Sequence, residues 1–421
     1  MAAFLFTIYL IAGCFFICRI KFIKGAGLGS KTIILLFLVK IAAGCALGLV
    51  NHLMMHNTTD YDVYNSLGVT ENRHLFSDPH LFFTDIFKSN YADYGEYFGS
   101  SGSYWNDLRT NIIFKVLGVM DIFSRGNYYI NSLFFNTITF FGHIALYRVF
   151  SHVYPGKKIQ SIVGCFLLPS MLYFSSGIHK DPIVFTAMAV FCYSLYVSLD
   201  CGFSRKRLFS LLLSFLTVLL IRNFIAVIAL PFAVAWFISS RYKIKPAFVF
   251  PVMILVVGAA ICTMHFSSEK YDPLRVVVQK QQSFFALSTA STAYYNDTLT
   301  PSIRSFVTAT PKALAHAYLS PYPGEFDRLY INLFSIELTA YLLVLFLWVL
   351  FPLRTGAGSN PFIFFCFLFT FTVFLFSGYI TPAAGALIRY RSIYLPFIIT
   401  PLLAGINWKR ILPFKAVSLM L

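Results

Sequence analysis

Charged residues are scarce in this 421-residue chain, and acidic residues are the scarcest of them. Asp, Glu, Lys and Arg make up 12% of the sequence against 58% hydrophobic residues, and the mean hydropathy is +0.71. Soluble domains carry about 25% charged residues, so this composition excludes an ordinary soluble domain. It predicts an all-α polytopic membrane protein, which we expect to form a single integral membrane domain over residues 1–421.

Several kinds of site are missing from the sequence. None of the eight cysteines falls in the two long polar segments described below, so no disulfide framework is indicated. The chain has no His-Glu-x-x-His motif, no Gly-rich loop of the Walker type and no Gly-x-Ser-x-Gly elbow. We therefore predict neither a bound metal nor a cofactor, with a divalent metal kept as an alternative.

Long apolar runs fill most of the chain. A membrane span needs about 20 residues, and shorter spans are tolerated. On that basis the runs predict eleven transmembrane helices, at residues 3–18, 32–50, 128–150, 159–175, 182–199, 208–222, 224–240, 246–264, 335–353, 361–377 and 391–407.

Short loops on one side of these runs carry much of the positive charge. The net charge is +16, and 17 of the 33 Lys and Arg lie in residues 19–31, 148–158, 201–207 and 241–245, at Arg354, or from Lys409 onward. Lys and Arg mark cytoplasmic loops. The pattern predicts a multi-pass protein of the cell inner membrane with its N-terminus outside and its C-terminus in the cytoplasm, and it argues against nucleic-acid binding.

Two long segments, at about 51–127 and 265–334, are predicted to be periplasmic. Residues 51–110 and 265–334 hold 13 of the 17 acids. The first segment contains two amphipathic stretches, one starting at Asp78-Pro79 and one following the Gly/Ser linker 99–103, which we expect to form interfacial helices. In the second, prolines 301, 311, 321 and 323 are expected to break the chain into short pieces.

Asp60 and Asp62 follow directly on the second predicted span. A carboxylate at the mouth of a helix bundle could take the proton of an acceptor hydroxyl. Alternatively, these acids are simply solvated or cap the helix that carries Tyr64. We predict Asp60 and Asp62 as catalytic residues, with Tyr64 as a neighbour of the site.

Arg389 and Arg391 lie at the start of the last predicted span, on the outer face. Their guanidinium groups could hold phosphate by paired hydrogen bonds, or they could anchor the helix at the interface.

The outer turn at His179-Lys180-Asp181 adds another cation. Lys180 and Asp181 could neutralise each other near lipid. We nevertheless take Lys180 and Arg222, at the next outer turn, as further phosphate-binding candidates, with His179 and Asp181 as possible neighbours. Lys40, inside the second span, is expected to snorkel towards the cytoplasm.

This layout resembles the GT-C superfamily of multi-span glycosyltransferases, which includes protein O-mannosyltransferases and aminoarabinose transferases. Members have an acidic residue just after a membrane helix, two interfacial helices in the same outer loop, and a second large outer loop several spans later. Asp60-Tyr-Asp62 fits the first feature, and one extra N-terminal helix departs from the pattern. Residues 175–181 and 388–396 also resemble segments of multi-span proteins of Bacteroidetes-type bacteria.

The resemblance implies sugar transfer from a polyprenyl-phosphate carrier to a lipid, glycan or protein acceptor at the periplasmic face. The lipid bilayer, the lipid-linked sugar and an unknown acceptor would be the partners. An O-antigen-type polymerase or ligase is the alternative enzyme. A transporter or lipid flippase is the alternative of another class, and it would require charged or broken helices near the membrane midplane.

Overall fold

The structure is a computed structural model that describes residues 1–54, 59–89, 103–267, 272–286, 292–294, 297–353 and 359–411. The expected Gly/Ser linker at 99–102 and the expected basic loop after residue 354 lie outside these residues. The described chain is helical, and its β pairing consists of two isolated bridges, Ala293 with Ala383 and Pro352 with Ile406.

Nineteen α-helices follow one another along the described chain. In order they are α1 (Ala2–Arg19), α2 (Lys21–Lys24), α3 (Ser30–Met54), α4 (Asp60–Ser77), α5 (Pro79–Thr84), α6 (Tyr104–Ser124), α7 (Tyr128–Val153), α8 (Lys158–Phe166), α9 (Pro169–Phe174), α10 (Lys180–Cys201), α11 (Arg205–Ile221), α12 (Asn223–Tyr242), α13 (Pro246–Ser267), α14 (Pro273–Ala286), α15 (Ile303–Leu319), α16 (Leu329–Leu350), α17 (Pro361–Ile380), α18 (Ala384–Ser392) and α19 (Leu395–Gly405). Short 3-10 turns lie at Asp85–Phe87 and Trp408–Arg410.

Eight of the described helices are long and apolar enough to span a membrane, namely α1, α3, α7, α10, α12, α13, α16 and α17. The chain is therefore an all-helical protein with several candidate membrane spans, as its composition predicted. The count of eleven is not reached on these criteria.

Three predicted spans take a different form. Residues 159–175 form two short helices, because the chain leaves the helical conformation at Leu167–Leu168, ahead of Pro169. The last predicted span is likewise divided into α18 and α19, with Pro396 in the first turn of α19. Residues 208–222 lie mostly in α11, whose 17 residues are at the lower limit for a span.

Contacts divide the chain into two compact units. Unit 1 consists of Met1–Arg148, Leu172–Tyr193 and Leu212–Ile221, and unit 2 of Val149–Met171, Ser194–Leu211 and Arg222–Leu421. Helices α7, α9, α10 and α11 contribute residues to both units.

In unit 1, the acidic segment after α3 folds into α4, α5 and α6. The predicted cap at Asp78 is present, since its Oδ1 accepts a hydrogen bond from the Leu81 amide at 3.0 Å and Pro79 begins α5. The second amphipathic stretch forms α6. The sequence did not predict α4 as an 18-residue helix, because its polar composition lacks a broad apolar stripe.

In unit 2, the proline-rich segment forms longer helices than predicted. Pro311 lies inside the 17-residue helix α15, so the expectation that it breaks the chain was wrong. Proline removes one backbone hydrogen bond, and here packing against α17 holds the helix together. The buried residues Ala309, Ala313 and Ala317 face α17, where a side chain on Gly378 would overlap the Ala313 carbonyl.

Candidate functional site

Asp60, His179 and Asp181 lie together in unit 1, at the beginnings of α4 and α10. His179 Nδ1 is 3.1 Å from Asp181 Oδ2, and its Nε2 is 3.5 Å from Asp60 Oδ2. The side chains of His179 and Asp181 are each 1% exposed, whereas that of Asp60 is 57% exposed. A buried imidazole therefore stands between a buried carboxylate and a carboxylate open to the surroundings.

Two tyrosines of α4 hold this arrangement. Tyr61 and Tyr64 are three residues apart and so share one helix face, and their ring centroids lie 5.6 and 5.1 Å from that of His179. Gly177 lies so close to Tyr61 that a Cβ there would overlap the ring. The turn before α10 and the first turn of α4 therefore fit together only because residue 177 has no side chain.

The environment of His179 gives its two ring nitrogens different roles. Asp181 Oδ2 lies 3.1 Å from Nδ1, and the Asp181 amide lies 3.4 Å from the same nitrogen as a competing donor. The charged carboxylate is the closer and stronger partner, so it favours the tautomer that carries the proton on Nδ1. Nε2 is then left as a proton acceptor on the side of Asp60. Either the Asp60 carboxylate or His179 Nε2 can accept a proton from a hydroxyl group that approaches this edge.

Asp62 has a different environment from Asp60. Thr59 Oγ1 donates to Asp62 Oδ2 at 2.7 Å, and the Asp62 amide donates to the Thr59 carbonyl at 3.1 Å. Asp62 also lies in the first turn of α4, where a negative charge is favoured by the helix dipole. Asp62 therefore bonds to the N-cap residue Thr59 without capping a backbone amide itself, and of the two predicted catalytic acids Asp60 fits the base.

Lys40 does not snorkel as expected. It is 2% exposed, and its ammonium group donates to the Ser175 carbonyl at 2.7 Å and to Ser175 Oγ at 3.3 Å. The next residue of this turn, Ser176, accepts at its carbonyl from Asn136 Nδ2 at 2.7 Å. The polar turn therefore satisfies the lysine inside unit 1, and reaching the interface would break both of its bonds.

The predicted phosphate-binding residues fall in both units. Lys180 is half-buried at the first position of α10 in unit 1, while Arg222, Arg389 and Arg391 belong to unit 2. Within unit 2, the Cζ atoms of Arg222 and Arg389 lie 4.4 and 5.5 Å from the centroid of the Tyr390 ring. The structure thus brings Arg222 and Arg389 to the same ring.

Arg391 makes hydrogen bonds to backbone carbonyl groups inside the protein. It is 4% exposed, and its Nη1 donates to the carbonyls of Ala317 and Ser320, both at 3.0 Å. These carbonyls lie at the C-terminal end of α15, where backbone acceptors lack helical partners and a cation is favoured. Arg389 and Arg391 differ because residues two apart on a helix point about 200° apart.

Sequence analysis missed Glu337 as a candidate. It lies eight residues into α16, about 12 Å along a candidate span. Its carboxylate accepts from the Ser170 amide and from Ser170 Oγ at 3.0 Å, and also from the Tyr341 hydroxyl. A small cavity adjoins Glu337, Tyr341 and Arg391. A lone acid in a 22-residue apolar run was the sequence signal that could have found it.

Glu71, His74 and Asp85 lie close enough together to hold a metal ion. However, the ammonium group of Lys115 already contacts Glu71 and lies 2.5 Å from Asp85 Oδ1. Lys115 is buried and also lies over the Phe82 ring, 4.5 Å from its centroid. This cluster is accordingly an ion-pair network that joins α4, α6 and the turn at Asp85.

No protein-family model, no curated protein and no solved structure matches this chain.

Proposed function

We propose that the protein transfers a sugar from a polyprenyl-phosphate carrier to a lipid, glycan or protein acceptor at the outer face of the cell inner membrane. The observation that carries this proposal is the Asp60–His179–Asp181 arrangement, which follows the candidate span α3 in the chain. Transfer to a hydroxyl needs a base at a place that a membrane-anchored donor can reach. An exposed carboxylate backed by a buried imidazole and a buried carboxylate meets that need.

In the proposed reaction, the acceptor oxygen bonds to the anomeric carbon of the sugar while the bond from that carbon to the phosphate oxygen breaks. The acceptor proton passes to Asp60, or to His179 Nε2 beside it. Asp181 orients the imidazole through the contact between its Oδ2 and His179 Nδ1. Asp62 bonds to Thr59 at the start of α4, Tyr64 packs on His179, and Lys180, in the same unit, is proposed to neutralise the departing phosphate.

Replacing Asp60 by Asn in the native host tests the base. We expect Asp60→Asn to lower transfer by about 10²- to 10⁴-fold, because the amide keeps the size of the side chain but cannot accept the proton. Mass spectrometry of lipid extracts should show accumulated polyprenyl-linked sugar, while immunoblotting shows normal membrane abundance. Asp62→Asn is the matched control and should retain most of the activity.

Wild-type lipid profiles in Asp60→Asn, His179→Gln and the double variant would show that neither Asp60 nor His179 is the base. Loss of protein from the membrane in Asp60→Asn would indicate that the residue stabilises the fold.

A transporter or lipid flippase is the second candidate, because two observations favour it. Glu337 lies inside a candidate span, and both α8–α9 and α18–α19 are interrupted helices, a feature that lines ion and substrate paths in transporters. Glu337→Gln separates the two functions. A transporter would lose transport in Glu337→Gln and retain it in Asp60→Asn. The proposed transferase would lose sugar transfer in Asp60→Asn.

A further inference from the structure

Asp121, near the end of α6, is a buried acid with one oxygen that meets no donor. The residue is 3% exposed. Its Oδ1 accepts hydrogen bonds from Ser124 Oγ at 2.8 Å and from Asn131 Nδ2 at 2.6 Å. Its Oδ2 is buried and has no hydrogen-bond partner among the described residues. Buried charges in proteins are paired with an opposite charge or bind a metal ion, so Oδ2 is a candidate ligand for a cation.

The nearby basic side chains do not balance this carboxylate. Lys115, earlier on α6, contacts Glu71 and lies 2.5 Å from Asp85 Oδ1. The Nη1 atom of Arg125, just after α6, lies 3.1 Å from Met1 Sδ. In the part of the chain that the structure describes, no Lys, Arg or His forms an ion pair with the carboxylate. A cation from solution is therefore favoured beside it.

Asn131, in the first turn of α7, supplies a second unpartnered oxygen. It is 0% exposed, and its Oδ1 meets no donor in the described residues. Its Nδ2 donates to Asn65 Oδ1 at 2.9 Å and to Asp121, while Asn65 Nδ2 donates to the Gly126 carbonyl at 3.1 Å, so both amide orientations are fixed by their partners.

The two unpartnered oxygens belong to groups in direct contact. The atoms that join the groups, Asp121 Oδ1 and Asn131 Nδ2, are 2.6 Å apart, so covalent geometry keeps the unpartnered oxygens within about 7 Å of each other. A rotation of either group about this contact brings both oxygens within about 2.5 Å of one ion, the usual distance for an oxygen ligand.

The chemistry of these ligands selects the ion. Carboxylate and amide oxygens bind hard cations, whereas sites for zinc or copper use nitrogen and sulfur. Only one ligand is charged, so a monovalent ion leaves the site neutral and a divalent ion would leave a buried positive charge. A Cβ on Gly68 would lie 3.4 Å from Asp121 Oδ2, so α4 packs closely against the carboxylate and a small ion fits best. We propose that Asp121 and Asn131 bind a sodium ion.

The ion would join three helices of unit 1. Asp121 lies on α6, Asn131 on α7, and Asn65, which is bonded to Asn131, on α4, the helix whose first turn carries Asp60. Bound sodium would therefore stabilise the position of α4 against its neighbours, whichever of the two candidate functions the protein has. The sequence predicted no bound metal, because Asp121 and Asn131 fall in different predicted segments and form no ligand motif.

Thermal unfolding of the full-length protein in detergent tests the site. Midpoints would be compared in NaCl and in choline chloride of equal ionic strength, which keeps the screening of surface charges the same. A ligand that binds only the folded state raises the midpoint, so we expect the wild type to unfold several degrees higher in NaCl. Asp121→Asn removes the charge, and its amide can donate to Asn131 Oδ1, so its midpoint should be equal in the two salts.

A second acid of the same helix provides the matched control. Asp107 lies on α6 and accepts from Ser89 Oγ at 2.9 Å, and Asp107→Asn should keep the full effect of sodium. Binding of radioactive sodium to the purified wild type, measured by scintillation proximity, does not require any variant to fold. We expect saturable binding to the wild type and to Asp107→Asn.

Absence of saturable sodium binding to the wild type would overturn the proposal, and so would an undiminished effect of NaCl on Asp121→Asn. A wild-type midpoint that ignores sodium but depends on pH through Asp121 would show a proton on the carboxyl group in place of the ion. Stabilisation by CaCl₂ without any effect of NaCl would show a divalent site. Either of these two results would also overturn the assignment of sodium.

Discussion

Single residues two positions apart in this chain serve different purposes. Asp60 lies open beside His179, while Asp62 bonds to Thr59 in the first turn of α4. Arg389 contacts the Tyr390 ring, while Arg391 caps the end of α15. In the sequence, both members of each pair were predicted for the same role, with Asp60 and Arg389 favoured. The side chains of each pair diverge because successive residues rotate by about 100° around a helix.

Lys40 gives a test at this scale that does not depend on enzymatic activity. Lys40→Met removes the donor to the buried Ser175 carbonyl, and an unsatisfied buried acceptor costs about 1–3 kcal/mol. We expect the midpoint of thermal unfolding in detergent to fall by several degrees. Lys24→Met, at an exposed lysine after α1, is the matched control and should unfold as the wild type does.

An unchanged midpoint in Lys40→Met would contradict the buried hydrogen bonds and restore the expectation that Lys40 snorkels to the interface.

At the scale of elements, two glycines set the distance between α4 and α6. A Cβ on Gly68 would lie 2.7 Å from Leu117 Cβ, and one on Gly118 would lie 2.9 Å from Glu71 Cβ. The close approach allows Asn72 Nδ2 to donate to the Gly118 carbonyl at 2.7 Å. The position of the first turn of α4, and with it Asp60, depends on this packing.

A pair of Gly→Ala variants measures the close approach. Gly118→Ala forces α4 away from α6 and should destabilise the protein by about 1–3 kcal/mol, the usual cost of overpacking. Gly258→Ala, on α13, meets no atom within 4 Å and should be neutral or stabilising by about 0.5–1 kcal/mol through helix propensity. Thermal unfolding in one detergent would compare the two.

Similar midpoints for Gly118→Ala and Gly258→Ala would mean that α4 and α6 do not pack at this glycine.

For the whole molecule, the orientation depends on which segments cross the membrane. The eight candidate spans are clear from length and composition, and the interrupted pair α8–α9 is not among them. The predicted orientation requires this pair to cross, because otherwise α10 would run in the opposite direction and its basic loop at 201–207 would lie outside. Lys and Arg in short loops disfavour that arrangement.

Reporter fusions decide the orientation. A reporter active only in the periplasm should be active when fused after residue 60 or residue 300 and silent after residue 206. A silent fusion at residue 60 would place Asp60 in the cytoplasm, which the proposed reaction could not accommodate. Activity after residue 206 together with activity after residue 60 would show that α8–α9 does not cross.

The sequence by itself determined the all-helical, membrane-embedded character of this chain, because long apolar runs can satisfy their backbone in lipid only as helices or closed barrels. It also located the cap at Asp78 and the polar segments, since these depend on neighbouring residues. Tertiary structure alone decided which polar side chains meet. His179 lies beside Asp60 across 119 positions of chain, and Glu337 receives the Ser170 amide across 167. Such contacts depend on how helices pack, and neither composition nor periodicity carries that information.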